Sequence, residues 1–311
     1  MTVDREVEAN VYAAALTADG DFKPGIAAKL LQLESVYSAQ VLDQPVFGAG
    51  AAQAIAAIPG LTRVTLYRTK ATEAAIAAFG DSPTLETLDL NMGSEFPIVT
   101  DAGLAGLGKL KSLKKLVCER GKVTPAGMKA LSGATTLVEL NLRDCVIDDS
   151  SAPYLAKLIN LTDLNVSSTK LTGKGLAVVA AGATKLRSME ADHNDITDAD
   201  LSALAALPGL TRLSLADTAV TDAGMAALAK SKSLASVMLE DTKVTDAGVV
   251  SLASLPKLWS LSLYRLPLTD ACLPALAKAP DLAQLRVGGN KFTADGLAKF
   301  ATARPKVKVR D

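Results

Sequence analysis

His193 is the single imidazole among 311 residues, and Cys118, Cys145 and Cys272 are the only thiols. A histidine among carboxylates can serve as a base, and Glu190, Asp192 and Asp217 fall near it in the pattern of the chain. A nucleophile would have to come from Ser168 or Ser214, and neither carries a catalytic motif. His193 therefore reads as an exposed surface residue. The cysteines occupy slots that have structural explanations, so nucleophilic catalysis and metal binding are not expected. No GxGxxG, P-loop or HExxH string occurs, and no cofactor is expected. The recurring Thr-Asp-Ala strings lack the oxygen density of a calcium loop. The chain reads as no enzyme.

Composition narrows the classes further. Lys+Arg number 33 against 33 Asp+Glu, with 49% hydrophobic and 4% aromatic residues. The apolar share excludes wholesale disorder. Zero net charge and few rings argue against a nucleic-acid partner. No run of about 20 apolar residues exists, so no membrane span is expected. Residues 1–20 place Asp4, Glu6 and Glu8 where a secretory signal needs a basic start. Three sparse cysteines make no disulfide framework, and a cytoplasmic location is expected.

Internal repetition organises the chain. Leu210, Leu213, Leu215, Thr218, Val220, Thr221, Gly224, Met225 and Leu228 recur 24 residues later as Leu234, Val237, Leu239, Thr242, Val244, Thr245, Gly248, Val249 and Leu252. The frame runs through Leu61, Leu85, Leu113, Leu137, Leu161, Leu186, Leu210, Leu234, Leu258 and Leu282, giving ten clear repeats. A degraded eleventh starts near Tyr37, with Leu42, Phe47, Ile55 and Ile58 in register. The Leu161 repeat is 25 residues long, and the Leu85 repeat is 28, with its insertion within Gly93–Pro97. Each repeat opens with a period-two alternation, which predicts a short strand with one buried face. Its second half has helical spacing. Thr72, Thr100, Thr124, Asp148, Thr172, Thr197, Thr221, Thr245, Thr269 and Thr293 stand where an N-cap belongs, and the acid that often follows suits the positive helix end.

The pattern LxxLxLxxTxVTDAGLxxLxxLPx resembles a leucine-rich repeat. It is close to the ribonuclease-inhibitor-like and cysteine-containing subtypes, and to such proteins of GC-rich bacteria. The resemblance covers residues 37–311. It implies an α/β fold: a right-handed solenoid or horseshoe, with parallel strands on the concave face and short helices on the convex face. It also implies that the Thr, Asn or Cys at position nine bonds the turn backbone, a ladder from which Gly93, Gly121 and Leu266 depart. Stacked repeats bury what one repeat cannot. Residues 1–36 are expected to form an N-terminal helical cap, and residues 306–310 a terminal strand.

In this fold positions 2, 3, 5, 7 and 8 of each repeat face solvent beside the strands. Down the array they give an acidic stretch: Asp163, Glu190, Asp192, Asp217, Glu240 and Asp241. Beyond it falls a basic and aromatic cluster of Met238, Trp259, Tyr264, Arg265 and Arg286. Trp, Tyr and Arg most often anchor interfaces. Trp259 would fill a leucine slot if it belonged to the core. The expected function is a scaffold that binds another protein through the concave face, as a monomer and with no small-molecule substrate. Phe96 in the insertion is a further contact candidate. The alternative is a regulator of a partner enzyme, either an inhibitor or immunity-type protein or an activator of small GTPases. There Arg143 or Arg120 would act at a partner's nucleotide site.

Overall fold

The computed structural model describes residues 7–11, 13–32, 36–91 and 99–310. They fall into two compact units, residues 1–147 and 148–311. In the first unit the strands are β1 (Val7–Val11), β2 (Val36–Leu42), β3 (Arg63–Tyr67), β4 (Thr87–Asp89), β5 (Lys115–Val117) and β6 (Glu139–Asn141). They pair in parallel and in chain order. The second unit repeats the scheme with β7 (Asp163–Asn165), β8 (Ser188–Glu190), β9 (Arg212–Ser214), β10 (Ser236–Met238), β11 (Ser260–Ser262), β12 (Gln284–Arg286) and β13 (Lys308–Arg310). A short helical segment follows each strand from β2 to β12, so the expected α/β solenoid is present.

The strands are mostly three residues long, which is too short to stand alone. Stacking supplies the rest. Positions 1, 4 and 6 are buried repeat after repeat, as at Leu210, Leu213 and Leu215 or Leu258, Leu261 and Leu263. Burying one such leucine stabilises by roughly 1.5–3 kcal/mol. The ladder at position nine is also built. Thr218 and Thr242 donate to the carbonyls of Leu215 and Leu239, and the amide of Asn194 reaches the Val166 carbonyl at 2.8 Å. Cys145 Sγ donates to the Cys118 carbonyl at 3.0 Å.

Nine of the ten cap residues accept a hydrogen bond from their own helix, Thr197 being the exception. The aspartate after the cap does more than suit a helix end. Asp198 accepts from the backbone N–H of Thr221 (2.8 Å) and from its hydroxyl (2.6 Å), one repeat on. Asp101, Asp149, Asp222, Asp246 and Asp270 hold Thr124, Thr172, Thr245, Thr269 and Thr293 in the same way. All of these carboxylates but Asp246, which faces Cys272, lie where a Cβ would project from a glycine of the next repeat's helix. At Gly224 that Cβ would come within 2.4 Å of Asp198 Oδ1. The glycine of the Thr-Asp-Ala-Gly string thus makes room for its neighbour's aspartate. One pair is exchanged: Gly173 stands in the aspartate slot and Asp200 in the glycine slot, with Asp200 Oδ2 2.7 Å from where a Gly173 Cβ would lie. Thr197, which follows Gly173 by one repeat, is the cap residue without a cap bond.

Position 8 carries an unexpected backbone. Arg68, Arg120, Asp144, Ser168, His193, Asp217, Asp241 and Arg265 all have φ between 47° and 58°. Only Gly289 meets this turn with a glycine, at φ 76°. The left-handed conformation costs an L-residue roughly 1–2 kcal/mol. Part of that would return on Ser168→Gly, offset by glycine's larger unfolded-state entropy. We expect this variant to gain about 0.5–1 kcal/mol in urea unfolding. An unchanged or lowered midpoint would show that the turn holds Ser168 without strain.

The N-terminal segment departs from its expected helical character. A helix runs over Ile26–Leu30, but β1 also adds a strand beside β2. The β2 register sets Ser38 opposite Arg63, so the degraded repeat opens at Val36. Phe47, Ile55 and Ile58 are buried as expected. Leu42 is not in a core slot: it pairs with Tyr67 at position 7 and is half-buried, while Ala39 and Val41 fill the core positions. At the other end, β13 pairs with β12 and leaves Lys308 and Arg310 exposed.

Candidate functional site

Parallel register turns each repeat position into a row across the strands. In the second unit position 5 reads Asn165, Glu190, Ser214, Met238, Ser262, Arg286, Arg310. Position 3 reads Asp163, Ser188, Arg212, Ser236, Ser260, Gln284, Lys308. Neighbours in a row are about 4.8 Å apart. Met238 and Arg286 therefore flank Ser262. Trp259 and Tyr264 stand at opposite ends of β11, five residues or roughly 16 Å apart at strand spacing. The structure brings Met238, Arg286 and Tyr264 to one region and sets Trp259 at the edge where the strand begins.

Much of the acidic stretch is occupied from within. Ser214 donates to Asp192, which also accepts from the backbone N–H of Ala216 at 2.8 Å. Ser262 donates to Glu240, and Asn165 donates to Glu190 at 2.6 Å. Asp163 accepts from Arg212 at 3.0 Å and from Thr162 at 2.7 Å. At the left-handed turns His193 Nδ1 meets Asp217 at 2.7 Å, and Arg265 grips Asp241 with two guanidinium nitrogens. That fork, with the charge it carries, holds the Asp241 carboxyl below the usual range and raises Arg265. Asp241 thus favours the folded state above its unfolded pKa, and this contribution fades as pH falls through the lowered folded value.

The remaining candidates are uncommitted. Among the described residues the side chains of Met238, Trp259, Tyr264 and Arg286 have no hydrogen-bond or ion-pair partner. Trp259 is 48% exposed, although its backbone is tied in: its N–H donates to Ala235 and its carbonyl accepts from Ala283. Met238, Tyr264 and Arg286 are half-buried. In the first unit Arg143 and Arg120 both approach Asp144, at 3.5 and 3.8 Å, so neither guanidinium stands alone. Phe96 lies outside the described residues. Periodicity showed which positions face out, but not the bonds between strands, because these join residues 22–25 apart, or 49 for Arg212 and Asp163.

The thiols are chemically quiet. All three cysteines are free and buried. The Cys145 thiol, together with burial, pushes Cys118 well up, and burial and Asp246 push Cys272 up. A thiol held protonated is a poor nucleophile. Among the described residues no group of three or more His, Cys, Asp or Glu side chains is placed to hold a metal ion, and no helix is long and apolar enough to cross a membrane.

Comparison with known proteins places the architecture. The family described as leucine rich repeat matches residues 133–156, 157–180 and 208–229. The chain carries leucine-rich repeats. The crystal structure of an internalin (inlF) from Listeria monocytogenes is similar, with a TM-score of 0.65 and 22% identity over 92% of this chain and 76% of that chain. At that identity the likeness concerns the leucine-rich-repeat fold. A comparison with curated proteins gives no match.

Proposed function

We propose that the chain is a non-enzymatic scaffold that binds another protein on the strand face of its second unit. One observation carries this reading. The face is largely saturated by its own hydrogen bonds, yet Met238, Trp259, Tyr264 and Arg286 are left without partners. A pre-formed surface with free aromatic and cationic side chains suits recognition, because little must be reordered on binding. The paired acids Glu190, Asp192, Asp217, Glu240 and Asp241, with Arg265, form a polar surround that sets register more than affinity. Residues 1–36 cover one end of the stack in this reading. Three buried free thiols suit a reducing, cytoplasmic setting.

The test is a partner recovered from native lysate and measured by calorimetry. Trp259→Ala/Tyr264→Ala is expected to weaken binding about 30-fold, in line with loss of an interface anchor. Both residues are free of side-chain bonds, so the variant should melt close to the parent. Equal affinity of parent and variant would overturn the assignment of this face.

A further inference from the structure

A groove of about 500 Å³ lies along the edge where the strands of the second unit begin. Repeat periodicity builds it. The residues just before each repeat's first leucine form a row: Lys185, Gly209, Ser233, Lys257. Where Gly209 interrupts this row there is no side chain, and the surface opens. Arg187, at position 2 of its repeat, adds a third cation. No carboxylate lines the groove among the described residues. Asp163, the nearest acid in sequence to the Thr162 wall, is already held by Thr162 and Arg212. Asp281 follows Lys257 in the row and ends the positive stretch.

Two of the three cations are free. Lys185 Nζ donates to Asn160 at 2.7 Å, whereas Arg187 and Lys257 have no side-chain partner among the described residues. Exposed cations in a concavity with no opposing charge attract anions. Spacing and hydrogen-bond polarity say which kind. Lys185 and Lys257 lie three repeats apart, roughly 14 Å at inter-strand spacing. About four residues of extended chain span that length, so a segment laid along the row meets each cation in turn, whereas a compact oxyanion would have to draw both lysine side chains to one point. Two of the groove's four hydroxyls point the same way. Thr211 and Ser233 already donate inward, to the carbonyls of Arg187 and Leu207, so they offer lone pairs. Lone pairs repel a phosphate and welcome backbone N–H groups. Trp259 follows Lys257 by two residues at the same edge of the sheet and is exposed.

We infer that this groove binds an acidic, extended segment of the protein partner, with its carboxylates on Lys185, Arg187 and Lys257. This rests on the reading that the partner is a protein, and it names the chemistry of the segment that reaches the groove.

The probe is a capped hexaglutamate peptide added to the full chain. Occupancy is read from the emission of Trp259, the single tryptophan, and by calorimetry. The peptide should bind, and raising salt from 50 to 300 mM should weaken it at least tenfold. Arg187→Glu/Lys257→Glu should lose it at least tenfold as well; neither side chain has a bond to break, so the fold is expected to hold. Lys291→Glu, with a single charge reversal elsewhere, should bind like the parent. The inference fails if hexaglutamate does not bind at 1 mM, if the double reversal leaves affinity unchanged, or if inorganic phosphate binds as tightly as the peptide. Should Trp259→Ala/Tyr264→Ala lose the protein partner while the double reversal keeps it, the scaffold reading stands and the groove assignment falls.

Discussion

Gly106→Ala is expected to destabilise the chain by about 3 kcal/mol, although it places a better helix former inside a helix. Propensity alone predicts a gain of about 0.5–1 kcal/mol for Gly to Ala at such a position. Packing overrides it. Gly106 lies in the helix Asp101–Leu107, and an added Cβ would come 2.2 Å from the Ala77 carbonyl oxygen and 2.9 Å from its carbon. Both atoms are backbone of the neighbouring helix Glu73–Ala78 and cannot rotate away. The reverse contact is as tight, since a Cβ on Gly80 would lie 2.3 Å from the Gly106 oxygen. The helices must separate, and the leucines beneath them lose contact. Urea unfolding followed by circular dichroism reads the effect. A midpoint equal to or above the parent's would mean that the helices are not in backbone contact there.

The aspartate staple supplies the second large effect. Asp198→Ala removes two charge-assisted hydrogen bonds to Thr221 and is expected to cost about 3 kcal/mol. Gly224→Ala is expected to cost about 2–3 kcal/mol, because its Cβ displaces the same carboxylate and meets Leu201 Cδ1 at 2.7 Å. The two losses are one loss counted twice. Once Asp198 is alanine, the Gly224 Cβ no longer meets the carboxylate, so the double variant should be about 1–2 kcal/mol more stable than additivity predicts. Strict additivity in the double-mutant cycle would show that the glycine is there for another reason. The chain has already made one such exchange, with Gly173 and Asp200 trading places.

The repeat frame, the strand and helix halves and the N-cap column were all legible in the residues, because each obeys a local period or a local hydrogen bond. Phe47, Ile55 and Ile58 in the degraded repeat were legible for the same reason. Leu42 was not, since one residue of register decides which face a strand side chain takes, and only pairing with β3 sets that register. Strand β1 was hidden because its partner lies about 29 residues downstream in β2 and its own residues do not follow the repeat pattern.

For the site, the sequence marked the outward positions and singled out Trp259 by its place outside a leucine slot. It read the acids, Asp217 and Asp241 among them, as a charged stretch, set Arg265 in a basic and aromatic cluster, and took His193 as an exposed residue near Asp217, without the bonds that join them. Composition and period therefore determined the architecture of the ten clear repeats: which residues are inside, and where their helices start. Tertiary structure decided which surface groups are spent and which are free. Ser214, Ser262 and Asn165 donate hydrogen bonds to acids 22–25 residues away and Arg265 pairs with Asp241, while Met238, Trp259, Arg187 and Lys257 are left open. The physical reason is range. A period records what each residue does within its own repeat, but a hydrogen bond between stacked strands depends on side chains meeting across about 4.8 Å of sheet, which no single repeat contains.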